Sequence, residues 1–259
     1  MFAFRPSALN ERVYFYKHEF NIKKASSFLA KKPQFFVIDP GSETKIIKNK
    51  SKVGKLTVLK PSISYKELKD RLPKYAPEDL YYDRNTYKDP NSALKTMNFR
   101  ESFRYKNFLN QQLAFDIDPE NIDCNHKNHL SFCPKCLIEV KKQATEMINK
   151  LQDIGFNKIK PVYSGRGFHI HVFDEKAYNL SIGERSAINK KLKEFAIDPW
   201  VSKGRIRLIR LPYSLNSIVS RIVLPLKIKE IKRFNPLTDN RTIPRFLKSK
   251  IKEFKLFKI

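Results

Sequence analysis

The chain has 259 residues, 41% of them hydrophobic and 12% aromatic, enough for a substantial core in one large domain. No stretch of about 18 apolar residues occurs, which excludes a helical membrane span, and the first residues lack a basic segment followed by a long apolar run, so no secretory leader is expected. Lys and Arg number 52 against 26 Asp and Glu; a net charge of +26 repels itself and points to a polyanionic partner, nucleic acid first, with an anionic membrane or ribosomal surface as alternatives. Along the chain, residues 34–39 (QFFVID) and 55–59 (KLTVL) read as strands joined through the polar run 41–54. Ser64 and Glu67 resemble a capping box that opens a short helix over 65–72, which Pro73 ends.

Residues 113–118 (LAFDID) alternate as a strand, with Leu113, Phe115 and Ile117 on one face and Ala114, Asp116 and Asp118 on the other. Two carboxylates at i and i+2 repel unless a cation lies between them. Mg²⁺ or Mn²⁺ suits such hard oxygen ligands, and two ions of this kind can activate a 3′-hydroxyl and stabilise a pyrophosphate leaving group. A pair of solvated acids before Pro119 is the bland alternative. A further carboxylate, Asp198, lies in the segment AIDPW; alone, Asp-Pro is an ordinary loop pair.

All three cysteines fall within thirteen residues: Cys124, Cys133 and Cys136. In a cytosolic-looking chain an odd number of clustered thiols argues for metal rather than a disulfide framework. With His126, or His129 in its place, they match a closed structural Zn²⁺ site, expected to pin a loop at 122–137. Val140, Ala144, Met147, Ile148 and Leu151 then recur at helical spacing over 137–154, and Gly155 stops the helix.

Residues 158–164 and 168–173 read as strands around a tight turn at 165–167. The segment YSGRGFHIH sets Ser164, Gly165, Arg166 and His169 together; glycines let backbone amides approach an anion, and arginine adds a planar charged fork. This combination is expected to grip the triphosphate of an incoming nucleotide, the alternative being a glycine hairpin with surface polar residues. Residues 186–195 read as helical, and 205–211 and 222–228 as strands, which gives an α/β or α+β domain.

FDID, a Cys/His knuckle, a helix, YSGRGFHIHV, and IDPWVS leading to RLIRLPYSLN follow one another in an order that resembles the small catalytic subunit of archaeal and eukaryotic DNA primases. The resemblance runs from about residue 77 to 237. It implies the α+β archaeo-eukaryotic primase fold, with a sheet like an RNA-recognition module and a zinc knuckle beside the active site, in a single catalytic domain over 1–259. It implies that Asp116, Asp118 and Asp198 bind the catalytic Mg²⁺ or Mn²⁺, that Ser164, Gly165, Arg166 and His169 line the triphosphate site, and that Arg207 and Arg210 face the same pocket. Expected partners are a single-stranded DNA template, nucleoside triphosphates and a large primase subunit carrying an iron–sulfur domain, in the cytoplasm at the nucleoid. Three stretches depart from the family: Asn216 stands where a histidine is usual and can donate a hydrogen bond to phosphate without charge, Ile218 stands where lysine is common, and Val201, Ser202, Lys203 and Gly204 stand where Val-Thr is often followed by an acidic residue. The nearest alternatives are a primase-polymerase of the same superfamily serving repair or a mobile element, and a zinc-stabilised nucleic-acid-binding module without catalysis.

Overall fold

Alternating apolar residues set the strands and i, i+3, i+4 spacing sets the long helix, and the computed structural model, which describes residues 3–41, 56–96, 107–124, 132–204 and 207–248, joins them into two stacked sheets. Helices α1 (Leu9–Tyr14, continued by a π-turn over Phe15–Glu19) and α2 (Ile22–Phe28) precede β1 (Phe36–Asp39) and β2 (Thr57–Val58). Then come α3 (Tyr65–Tyr75), β3 (Asp79–Asp83), β4 (Asn85–Tyr87), α4 (Pro90–Thr96), β5 (Phe108–Gln111) and β6 (Ala114–Ile117). The second half holds α5 (Pro134–Asp153), β7 (Ile159–Tyr163), β8 (Phe168–Val172), α6 (Glu175–Tyr178), α7 (Ile182–Lys191) and α8 (Pro199–Ser202). It closes with β9 (Leu208–Arg210), β10 (Leu215–Asn216), β11 (Arg221–Ile222), β12 (Leu224–Pro225) and α9 (Arg245–Lys248).

The first sheet has the order β2-β1-β3-β9 and the second β12-β7-β8-β6, with β4-β5 and β10-β11 as two-stranded ribbons. Every pairing among the described residues is antiparallel, so the architecture is mixed α+β. One face of the second sheet, through Phe115, Ile117, Phe168, Ile170 and Val172, packs on α5, whose Val140, Ala144, Met147, Ile148 and Leu151 are fully buried. Each of the larger ones, Val140, Met147, Ile148 and Leu151, contributes roughly 1.5–3 kcal/mol. The opposite face, through Ala114, Val162 and Phe173, packs on Phe28, Ile38 and Tyr82. A seam of rings joins them there: His171 lies 5.3 Å from Phe28 and 6.4 Å from Tyr82, between centroids. The second sheet is thus covered on both faces, and a cleft opens between the sheets where β6 ends and β7 turns into β8.

Several element boundaries differ from expectation. Helix α3 runs through Pro73 to Tyr75, because a proline in the last turn removes only one late hydrogen bond while Leu68, Leu72 and Ala76 are fully buried. Helix α7 starts at Ile182, where Ser181 and Glu184 form a reciprocal capping box. The strand expected over 222–228 is broken into β11 and β12, and a 3₁₀ turn takes over from Ile228. The polar run 42–55 lies outside the described residues. No helix among the described residues is long and apolar enough to cross a membrane.

Candidate active site and metal centre

Strand β6 carries Asp116 on the face away from α5, directly paired with His169 of β8. Asp118 follows at the strand end and caps a 3₁₀ turn begun by Pro119, its Oδ1 accepting from the Glu120 amide at 3.0 Å. Asp198 repeats the device: it caps α8 before Pro199, accepting from the Trp200 amide at 2.8 Å. Proline at the first helical position forgoes an amide that would be orphaned there, so Asp-Pro is a compact helix start. The Asp198 amide donates to the Asp116 carbonyl at 2.9 Å, and Ile197 bridges to Ile117, which lays the Asp198 segment along the open edge of β6.

Asp116, Asp118 and Asp198 therefore line one cavity of about 230 Å³, together with Ser164, Arg166, His169, Arg210 and Asn216. Burial, then the charges of Asp118 and Asp198, push Asp116 up to about 7, against the opposing pull of Arg210 and Arg166. The Asp116 side chain keeps a quarter of its surface exposed. The three carboxylates do not form a closed cage: among the described residues only the cysteines bring three ligand atoms within 4.8 Å of one another. Three hard oxygen donors facing one cavity, one of them raised by burial and by the other two carboxylates, nevertheless suit a divalent cation such as Mg²⁺ or Mn²⁺.

The turn between β7 and β8 forms the facing wall. Gly165 has φ +112, open to glycine, and a Cβ there would overlap the Asn216 side chain. A Cβ on Gly167 would overlap the Ile117 carbonyl, so this glycine lets the turn approach the acidic strand. The turn is pinned by its own backbone, with the Ser164 amide donating to the Gly167 carbonyl at 3.0 Å, and by Tyr163, whose hydroxyl donates to the Gly165 carbonyl. Arg166 reaches Asp118 at 3.4 Å and Glu120 at 2.7 Å. His169 is buried, and burial with nearby His171, Arg210 and Arg84 holds its imidazole neutral, so its 3.6 Å approach to Asp116 is not an ion pair.

Arg210 stands over the cavity from the first sheet. Asp79 grips its guanidinium from two sides, at 2.8 and 2.7 Å, and the third nitrogen donates to the Ser164 carbonyl at 3.2 Å. Asn216 donates to that same carbonyl at 3.0 Å, so its amide positions the turn, while its Oδ1 is buried without a partner. Arg207 does not reach the cavity. It is fully buried against Asp83 at 3.3 Å and the Tyr87 hydroxyl at 2.6 Å. Arg207 precedes β9, and these buried partners hold it away from the pocket that Arg210 faces. Ile218 lines the cavity, an apolar side chain where a cation was the family expectation.

Two further residues shape the cavity. Asp79 orients Arg210, and Arg84, fully buried beneath the acids, donates to the Gln112 carbonyl at 2.7 Å and the Val201 carbonyl at 2.8 Å. Arg84 thereby ties the entrance of β6 to the helix that Asp198 caps. Burial lowers it to about 10, while Tyr82, Asp83, Asp116 and Asp198 favour its charge.

Six residues beyond Asp118, Cys124, Cys133 and Cys136 converge, with the sulfurs of Cys124 and Cys133 at 3.6 Å. Cys133 caps α5 and accepts from the Cys136 amide at 3.5 Å, which lowers its thiol, while burial and the neighbouring thiols push Cys136 up to about 12. Three sulfurs at such separations fit a thiophilic metal. His126 and His129 lie outside the described residues.

The family model for the DNA primase small subunit matches residues 115–199, the stretch from the acidic strand to Pro199. An uncharacterized DNA primase small subunit-like protein of Archaeoglobus fulgidus is 37% identical across 95% of this chain and 92% of its own length. The DNA primase small subunit PriS of Pyrobaculum calidifontis is 27% identical over 70% of each chain. That of Thermococcus onnurineus is 31% identical over 71% of this chain, which spans about half (49%) of its length. Among solved structures, the polymerase domain of Mycobacterium tuberculosis Ligase D in complex with DNA aligns with a TM-score of 0.46 at 17% identity, over 74% of this chain and 66% of that one. With a relative this similar along nearly its whole length and a family match centred on the strands and turn that wall the cavity, the chain belongs to the DNA primase small-subunit family.

Proposed function

We propose that this chain is the catalytic subunit of a DNA primase, a single domain over 1–259 that makes short primers on a single-stranded DNA template from nucleoside triphosphates. The observation that carries the reading is the shared cavity: three carboxylates, with His169 beside Asp116, on one wall and the Gly-Arg-Gly turn with Ser164 on the other. The reaction joins a 3′-oxygen to the α-phosphorus and releases pyrophosphate, so the protein's tasks are to align the two and offset charge. Asp116, Asp118 and Asp198 would hold Mg²⁺ or Mn²⁺, which supplies charge neutralisation at the reacting phosphates. The Arg166 fork turns from Asp118 and Glu120 to the triphosphate, with the Ser164 hydroxyl, the Gly165 amide and neutral His169 as further donors. Arg210, held by Asp79, adds fixed positive charge from the other sheet, and Asn216 keeps the turn in place. Cys124, Cys133 and Cys136, with His126 or His129, hold a structural Zn²⁺. The expected assembly includes a large subunit with an iron–sulfur domain, working at the nucleoid in the cytoplasm.

The test supplies the full chain with single-stranded DNA, labelled nucleoside triphosphates and Mg²⁺ or Mn²⁺. Products made without any supplied 3′-end are expected, and Asp116→Ala with Asp118→Ala should abolish them while oligonucleotide binding persists. Extension solely of a supplied 3′-end would favour a polymerase role instead. Absence of incorporation, alone or with a large subunit, would overturn the enzymatic reading in favour of a binding module.

A further inference from the structure

The sheet face that bears Asp116 continues to a second, basic groove. Lys160 pairs with His171, one alternation along β8 from His169, which pairs with Asp116. Directly paired residues of an antiparallel sheet share a face, so Lys160 stands on the Asp116 face, about 12 Å away by strand spacing and rise. Between the two points the face is closed by Phe28 and Tyr82, which makes the groove separate from the cleft.

The groove has a volume of about 710 Å³, and its walls include Lys31, Lys158, Lys160, Asn157 and Tyr178. The Lys160 ammonium lies 4.7 Å from the Phe173 ring centre and 5.1 Å from that of Phe28, and donates to the Phe28 carbonyl at 3.1 Å. Lys31 lies 5.4 Å from the Tyr178 ring centre. Among the described residues none of these three lysines pairs with a carboxylate. Asp174, next to the wall residue Phe173, is turned to the backbone, accepting from the Asn157 and Lys158 amides at 3.0 and 2.8 Å. Glu175 is the one acid in the walls, so the groove keeps a net positive charge. Uncompensated ammonium groups in a concave wall repel one another and concentrate anions. An isolated anion would need one or two of them, whereas a row of cations beside an aromatic ring and side-chain amides matches a phosphodiester chain with a base against the ring.

We propose that this groove is a second binding site, holding the backbone of single-stranded DNA at Lys31, Lys158 and Lys160 with a base beside Tyr178. It rests on the reading that the chain works on single strands, and on no other part of that reading. The test measures anisotropy of a labelled oligodeoxythymidylate across salt concentrations, using the full chain. Lys31→Gln with Lys158→Gln removes two phosphate contacts and leaves Lys160 to hold Phe28. The slope of log affinity against log salt should flatten by about 1.4, and binding at about 0.1 M salt should weaken about 25-fold. The matched control, Lys190→Gln with Lys191→Gln on exposed turns of α7, should move the slope by no more than a few tenths, and Lys31→Arg with Lys158→Arg should retain it. An unmoved slope in the groove variant, or equal flattening in the control, would overturn the proposal. Nucleotide incorporation in the same preparations separates the two readings. Flattening with no incorporation by the wild type keeps the groove and removes the primase activity, whereas an unmoved slope with active wild type removes the groove alone.

Discussion

Replacing Asp116 by Asn should stabilise the protein at neutral pH, even though it removes a residue placed at the heart of the reaction. Burial and the two neighbouring carboxylates raise Asp116 from 3.8 to about 7. A carboxyl whose pKa is higher folded than unfolded binds more protons in the native state, so stability falls as pH rises between those two values. From pH 5 to pH 8 about two pKa units of this interval are crossed, a ceiling of about 2.7 kcal/mol. A quarter of the side chain is open to water, and solvent screening should reduce the effect to about half, roughly 1.4 kcal/mol. Urea unfolding of wild type and Asp116→Asn, in the presence of a chelator, checks this. The stability difference should move toward the variant by that amount between pH 5 and pH 8, since the other titrating groups cancel. Added Mn²⁺ should then stabilise the wild type by about 2.7 kcal/mol at a hundredfold excess over its dissociation constant, and the variant by much less. A difference that stays constant with pH, or an equal response of both proteins to Mn²⁺, would refute the reasoning.

Arg84→Gln should lower unfolding free energy by about 3 kcal/mol, because it strips the buried donors from the Gln112 and Val201 carbonyls and leaves the acids above without their buried counter-charge; an unchanged denaturation midpoint would contradict it. Asp79→Asn should leave the fold intact but free Arg210, raising the dissociation constant for a nucleoside triphosphate about tenfold, or about 1.4 kcal/mol, by calorimetric titration. Cys133→Ser should remove one bound Zn²⁺ per chain, read by elemental analysis, and lower the melting temperature by about 5–10 °C. Wild type that purifies without zinc would remove the metal from the account.

The site was most legible where local rules act within a few residues. Period-two alternation over 113–118 assigned Asp116 and Asp118 to the face away from α5, and helical spacing found five of the seven buried residues of α5. The turn at 164–167 was marked by its glycines, each of which meets a wall that a Cβ would strike. What escaped depends on contacts made far along the chain. Arg207 and Arg210 were expected to face one pocket, yet each found a different buried acid, Asp83 for Arg207 and Asp79 for Arg210, at the two ends of β3. Nothing adjacent to Arg84 indicates that it will bridge segments 28 and 117 residues away. The start of α7 is set locally, by the capping box of Ser181 and Glu184, four residues before the start that apolar spacing suggests.

Crystals grown with Mn²⁺ and a non-hydrolysable nucleoside triphosphate, with anomalous data collected for manganese, test the central claim most directly. The account predicts manganese bound by Asp116, Asp118 and Asp198, with the triphosphate against Ser164, Arg166 and His169. Manganese and nucleotide lodged elsewhere, with Asp118 still turned to Arg166, Asp198 to its helix cap and Asp116 to His169, would contradict it.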